Sequence, residues 1–281
     1  MKLILNKYGI VIQIIIFDKN FPARFLMPLM DLVDECHFEL GSECVDRVRM
    51  VKDEKEQQLM IEASKINDLV VDEVINICAK GNLTEKEVSD QLAGIYQKHG
   101  CTGNSFEPIV AYGKNGADNH HSGDDSTLKP GDSIVIDIGG LYKGYCSDMT
   151  RTVFYKEVSP KQKAVYELVL KAQKAAEAMI KPGVRLCDID KCARDIIAEG
   201  GYTVEFNHRL GHFIGRDVHE WGDVSQNYDI EVQEGMTFSI EPGVYLQGEF
   251  GVRIEDLVLV TEDGCKALNS YPKDLKVIGN D

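Results

Sequence analysis

The stretch SIVIDIGGLYKGYCSDMTRT, residues Ser133–Thr152, decides the reading of this chain. A β-branched apolar run ends in Asp137, a glycine-containing turn follows, and a second run begins at Asp148. Alternation broken by such a turn is the signature of a β-hairpin. FSIEPGVYLQGEFGVRIEDLVLV, residues Phe238–Val260, has the same form, with Glu241 and Glu255 as its acids. A first turn centred on Tyr142–Lys143 sets Asp137 directly opposite Asp148; a second centred on Gly248 sets Glu241 directly opposite Glu255. Opposed side chains share a sheet face with Cβ atoms about 4.5–5.5 Å apart, where like charges repel. Two acid pairs inside apolar strands point to bound cations.

Working outward, the order of elements repeats. DEKEQQLMIEASKINDLVVDEVINICAKG (Asp53–Gly81) has apolar residues at helical spacing and stops at a glycine. Thr84 with Glu87 forms a capping-box signature ahead of a second helix over Val88–His99. A short strand around Ile109–Tyr112 then leads to the first hairpin. Ser159–Pro160 opens another helix that ends at Lys181–Pro182–Gly183; a further helix spans Asp188–Ala198, and the second hairpin follows. Gly81 and Gly183 stand 102 positions apart, while Asp137/Glu241, Gly139/Gly243 and Gly144/Gly248 all keep an offset of 104. The sequence therefore predicts an α+β fold of two duplicated helix–helix–hairpin halves, about 53–154 and 160–262, related by a pseudo-twofold axis.

Residues 1–50 differ in character. An apolar opening is read as a buried strand at Ile10–Phe17, followed by a short Met-rich helix interrupted near Pro28. So few residues make a marginal independent core. They read as an appended remnant preceding a larger domain over residues 51–281. The opening lacks a small-residue cleavage site, and no run reaches membrane-spanning length. A net charge of −15 without a basic cluster excludes a nucleic-acid backbone as partner. Eight scattered cysteines, none in a C-x-x-C pair, read as thiols in a reducing cytosol.

Carboxylate oxygens with an added imidazole suit hard or borderline divalent cations. Among the histidines of NHRLGHFIGRDVHEWG (Asn207–Gly222), His212 is bracketed by Gly211 and Gly215, which permit close backbone approach. Four carboxylates and one imidazole suit two metals about 3.5–4 Å apart sharing a water or hydroxide, the chemistry of amide or ester hydrolysis. The absence of a thiolate favours manganese, or cobalt, over structural zinc. Trp221 is open between lining a pocket and packing.

SIVIDIGGLYKGYCSDMTRT, GHFIGRDVHEWG, SIEPGVY and GVRIEDLVLV together resemble the pita-bread metallopeptidases, over roughly residues 50–265. The resemblance implies a curved antiparallel sheet and a dinuclear centre held by Asp137, Asp148, His212, Glu241 and Glu255, with a metal-bridging hydroxide as nucleophile. It makes His120 and His219 catalytic and substrate-binding, with Glu241 also able to take a proton. His208 and Arg253 become substrate-side residues of the proline-specific members, and His121 stays an alternative to His120. FELGSECVDRVRMVKDEKEQQLMIEAS (Phe38–Ser64) resembles the junction after the N-terminal domain of those members, most of which is missing here. The implied activity is an Xaa-Pro dipeptidase using two divalent ions, with manganese favoured and cobalt or zinc as alternatives. The implied substrate is a small peptide with proline second, and a homodimer is a candidate assembly. The alternatives are an aminopeptidase acting on longer Xaa-Pro peptides and a non-catalytic peptide- or protein-binding module.

Overall fold

The computed structural model describes residues 13–33 and 36–280, and the chain divides into two compact units, Met1–Arg49 and Met50–Asp281. In the first, β1 (Ile14–Phe17) pairs in parallel with β2 (His37–Leu40), with helix α1 (Ala23–Leu32) between them and α2 (Ser42–Met50) after. Lys19 bridges to Asp46 at 2.6 Å, and Asp18 accepts from Ser42 at 3.0 Å.

Two expectations fail in this unit. The strand is not buried: Ile14 and Ile16 are 52 % and 66 % exposed, because a two-stranded sheet leaves one face uncovered. Residues 10–12 of the expected strand lie outside the described residues. Nor does Pro28 interrupt the helix, which runs continuously through it. Proline removes its own amide bond and crowds the carbonyl four residues earlier, but no side chain of α1 is buried to demand a straighter axis.

The second unit begins with α3 (Glu54–Ala79), capped by Asp53 and Glu56, and α4 (Glu85–Lys98), capped by Thr84 and Glu87. Strand β3 (Ile109–Tyr112) follows, then a 3-10 turn over Gly113–Ala117, β4 (Ser133–Ile138), the short pair β5 (Leu141–Tyr142) and β6 (Tyr145–Cys146), and β7 (Met149–Tyr155). The second half supplies α5 (Pro160–Met179, capped by Ser159 and Gln162), α6 (Leu186–Glu199), β8 (Gly211–His212), β9 (Asp223–Val224), β10 (Thr237–Ile240), β11 (Gly243–Leu246), β12 (Phe250–Arg253), β13 (Asp256–Val260), β14 (Cys265–Ala267) and β15 (Val277–Ile278).

The halves repeat as expected. Each pairs its long hairpin strands antiparallel, β4 with β7 and β10 with β13. Val70, Val74, Ile75 and Leu92 of the first helices pack on Ile134, Ile136 and Val153; Val165, Val169, Leu186 and Ile189 of the second pack with Phe238, Ile240 and Val258. Burial of these faces drives the architecture. The equivalent glycines share a backbone role: Gly81 and Gly183 adopt φ +66° and +87° at helix ends, and Gly144 and Gly248 adopt +84° and +78° at hairpin turns. The first sheet is completed by β15, which joins β7 in parallel.

The second hairpin has the expected register. Both β10–β13 and β11–β12 are centred on Gly248, so Glu241 and Glu255 hold opposed positions between the two ladders. The first hairpin is shifted by one residue. Asp137 faces Thr150, and Tyr142 faces Tyr145, so the turn is Lys143–Gly144. Lys143 itself adopts φ +48° before Gly144 at +84°, the two-residue turn whose twist matches its flanking strands. Asp148 is therefore a diagonal neighbour of Asp137 on the same face, not its direct opposite.

Candidate active site

Alternation along β4 sends Ile134, Ile136 and Ile138 into the helix-facing core and leaves Asp137 on the other face. On β10, Phe238 and Ile240 enter the second core, and Ser239 points away from it, just ahead of Glu241. The hairpins are tied where their acids lie: the Glu255 amide donates to the Thr150 carbonyl at 3.1 Å, and Arg253 and Thr152 exchange hydrogen bonds at 2.9 and 3.1 Å. His212 can stand beside them only because Gly211 lacks a Cβ, which would fall 1.9 Å from the Ser239 carbonyl oxygen. The Ser239 hydroxyl accepts from the His212 amide and donates to Glu241 Oε1 at 3.1 Å.

The nine residues given a site role in the sequence line one cavity of about 570 Å³, His120, Asp137, Asp148, His208, His212, His219, Glu241, Arg253 and Glu255, and so does the alternative His121. His212 Nε2 stands 3.5 Å from Asp148 Oδ2 and 3.6 Å from Glu241 Oε1. Ligand atoms of Asp148, His212 and Glu255 all lie within 4.8 Å of one another. Trp221 is not among the lining residues; it packs edge-on against Tyr228.

The electrostatics are those of a cation site. Burial first, and then the charge of Asp137, push Asp148 well above the usual carboxylate range. Burial and the neighbouring Asp148, Glu241 and Asp137 do the same to Glu255. Burial carries Glu241 up to about 7, against the opposing pull of His212 and Arg253. Oδ1 of Asp137, Oδ1 of Asp148 and Oε1 of Glu255 are buried without a hydrogen-bond partner. Each such orphan costs about 1–3 kcal/mol, more when charged. Hard oxygens left unsatisfied beside a neutral imidazole fit divalent metal ions, which would neutralise the charges and occupy the orphaned lone pairs. His212 suits that part, because burial lowers its pKa and keeps the ring neutral.

The substrate-side residues are ordered by a network that spacing did not reveal. Arg253 donates to Asp137 Oδ2 at 2.7 Å, to Thr150 Oγ1 at 3.0 Å and to the Tyr245 hydroxyl at 2.8 Å. The Thr150 hydroxyl in turn donates to Glu255 Oε2 at 2.6 Å. His208 Nδ1 meets the Arg209 carbonyl at 2.6 Å and Nε2 meets the Tyr245 hydroxyl at 3.0 Å, so both its ring nitrogens are engaged inside the protein. Burial and the nearby Arg253 hold His208 down at about 3. His219 stacks edge-on against His212 with centroids 4.3 Å apart, and desolvation, reinforced by His212, lowers it to about 4. Thr150 and Tyr245 were missed. The corrected register, which puts Thr150 opposite Asp137, is the one signal that could have found the first; Tyr245 carried none.

A duplicated fold with an acid pair from each half and one imidazole around a shared cavity defines a pita-bread metallopeptidase. Residues 58–262 match the model of metallopeptidase family M24. A putative dipeptidase of Bacillus subtilis (strain 168) is 45 % identical over 241 residues, covering 86 % of this chain and 66 % of the relative. An Xaa-Pro dipeptidase of Pyrococcus horikoshii is 38 % identical over 258 residues, covering 92 % and 73 %. The structure of an Xaa-Pro dipeptidase from Bacillus anthracis superposes with a TM-score of 0.92 at 34 % identity, covering 98 % of this chain and 77 % of that one. The chain belongs to metallopeptidase family M24. It spans about two thirds to three quarters of the length of these relatives.

Proposed function

We propose that this chain hydrolyses the Xaa-Pro bond of dipeptides and releases the N-terminal residue, using two divalent ions held by Asp137, Asp148, His212, Glu241 and Glu255. The observation that carries this reading is the convergence of those five with His120, His208, His219 and Arg253 on one cavity. The names of the relatives supply the substrate class. Divalent cations so held polarise a carbonyl oxygen and make a nucleophile of water near neutral pH.

The protein's own groups do the rest. Glu241, in the cavity wall and held by the Ser239 hydroxyl, accepts a proton from the attacking water. His219 is neutral at pH 7 and donates an N–H bond to the carbonyl oxygen as charge develops there. His120 delivers a proton to the proline nitrogen, which has no N–H of its own and must be protonated to leave. Arg253 fixes Asp137, the Tyr245 hydroxyl fixes Arg253, and His208 fixes Tyr245. Phe106, Pro108, Ile109 and Val218 give the cavity an apolar wall for the proline ring.

Manganese is the proposed metal, because the ligand set holds oxygens and an imidazole but no thiolate. Residues 1–50 are proposed as part of an N-terminal domain, residues 51–281 as the catalytic domain, and a homodimer as the assembly, to be checked by sedimentation. A cytoplasmic location fits the absence of disulfides among the described residues. None of the described helices is long and apolar enough to cross a membrane.

Hydrolysis of Ala-Pro, Ala-Pro-Ala and Met-Ala-Ser, with Mn²⁺ and with chelator, tests the reading. Cleavage of Ala-Pro alone supports the dipeptidase. Cleavage of only the tripeptide Xaa-Pro bond replaces it with the aminopeptidase. Stoichiometric metal binding without turnover sinks the enzyme reading and leaves a binding module.

A further inference from the structure

Glu85, the first residue of α4, is fully buried, yet it lines no part of the cavity. A buried carboxylate is tolerated only when its lone pairs are satisfied. Oε1 accepts from the Tyr112 amide at 2.6 Å and from Asn115 Nδ2 at 3.0 Å. Oε2 accepts from His121 Nε2 at 2.6 Å and from the Asp124 amide at 3.1 Å. Every one of these donors lies between positions 112 and 124, the segment that carries His120 to the cavity wall. The backbone of the same helix end joins in: the Glu85 amide donates to Ser126 and the Lys86 amide to Asp124. The helix N-terminus also favours a carboxylate there.

Glu85, His121 and Asp124 have the spacing of a metal cluster. Both oxygens of Glu85 are already occupied by protein donors, however, which makes the cluster a clamp and not a cation site. On its other side the segment is held by Gln247 Nε2, which donates to the Ala117 carbonyl at 2.7 Å. Between these two anchors the His120 amide donates to Asp118 Oδ1 at 3.0 Å, while its ring has no such bond and stands in the cavity wall. Both neighbouring histidines line the cavity, but they are divided in role: His121 Nε2 is committed to Glu85, and the His120 ring is left for substrate.

We propose that Glu85 is a positioning residue that, through His121 and the amides of Tyr112 and Asp124, sets the 113–126 segment so that His120 meets the substrate. The catalytic consequence rests on the function proposed above; the clamp itself does not.

The test uses the full chain and four variants: Glu85→Gln, His121→Gln, His121→Phe and His120→Gln. Amide hydrogen exchange of the 113–126 segment is followed in the metal-free protein, and kcat, KM and Mn²⁺ stoichiometry are measured for Ala-Pro. Glu85→Gln is expected to speed exchange in that segment about tenfold while α3 and α5 keep theirs. It should lower kcat about 10²-fold, as a displaced catalytic group does, with KM and metal stoichiometry held. His121→Gln keeps a donor for Glu85 and should keep wild-type exchange, whereas His120→Gln loses turnover without faster exchange. Where Glu85→Gln does not fold, His121→Phe removes only the Nε2 contact and should show the same loosening. Wild-type exchange in both Glu85→Gln and His121→Phe overturns the clamp. Turnover in His121→Gln as low as in His120→Gln overturns the division of roles. A wild-type chain inactive on every Xaa-Pro peptide strikes the functional reading alone, because exchange still decides the clamp.

Discussion

Arg253 donates to Asp137 Oδ2 at 2.7 Å while Oδ1 of the same carboxylate stays buried without a partner. One oxygen is thus held by the protein and the other is presented to the cavity. Arg253 is itself buried and contacts Asp137, Thr150 and Tyr245 with three different nitrogens. A lysine offers a single nitrogen at that place. Arg253→Lys is expected to weaken Mn²⁺ binding by about 10–100-fold, the usual effect of losing a group that orients a ligand. Calorimetric titration of the metal-free protein measures it, and unchanged affinity would show that Asp137 needs no such support.

Thr150 relays between the two hairpins by accepting from Arg253 and donating to Glu255. Thr150→Val keeps the shape but removes the donor, leaving both Glu255 oxygens without a hydrogen bond. A loss of Mn²⁺ affinity is expected in Thr150→Val and recovery in Thr150→Ser, compared by the same titration. Equal affinities in the two variants would remove Thr150 from the account.

The metal-free protein should become less stable as pH rises. The folded pKa of Glu241 is raised from 4.5 to about 7, and Asp148 and Glu255 move in the same direction. An acid with a raised folded pKa binds its proton more tightly in the native state, so its stabilisation is complete below the unfolded value and is lost as pH climbs through the folded one. Melting temperatures of the chelated protein are therefore expected to fall from about pH 4.5 to about pH 7. Those of the Mn²⁺-loaded protein should not follow, so the gap between the two widens. Parallel curves for both forms would contradict the cation site.

Gly251 of β12 passes close to the segment that carries His120. A Cβ there would lie 1.7 Å from the Gly116 carbonyl oxygen and 3.2 Å from the Ala117 amide nitrogen. Neither obstacle is a side chain that can rotate away. Gly251→Ala is expected to cost about 1–3 kcal/mol of stability by forcing the backbones apart. It should lower kcat more than metal affinity, and denaturant melts alongside kinetics check both.

Much of this arrangement is legible from local signals. Asp53, Thr84 and Ser159 cap helices as their patterns require, and the pairs Gly81/Gly183 and Gly144/Gly248 recur with the same left-handed backbone. The Gly248 turn and its register follow from alternation around a central glycine. Alternation could not choose between turns one residue apart in the first hairpin, because either choice leaves Asp137 and Asp148 on one face. Lys143 in a left-handed conformation settled it.

The duplicated halves, the four acids and one histidine that face the cavity, and the histidines and arginine around them are all legible without the fold. These depend on periodicity, caps and turns, which act over a few residues. Tertiary structure alone decided that Ile14 and Ile16 stay exposed, that Thr150 joins Arg253 to Glu255, and that Glu85 holds His121. Those outcomes depend on which surfaces meet when the chain packs: Thr150 and Glu255 stand 105 positions apart, and Glu85 and His121 stand 36 apart. No local pattern encodes a hydrogen bond between segments whose approach is set by burial of the two helix-covered cores.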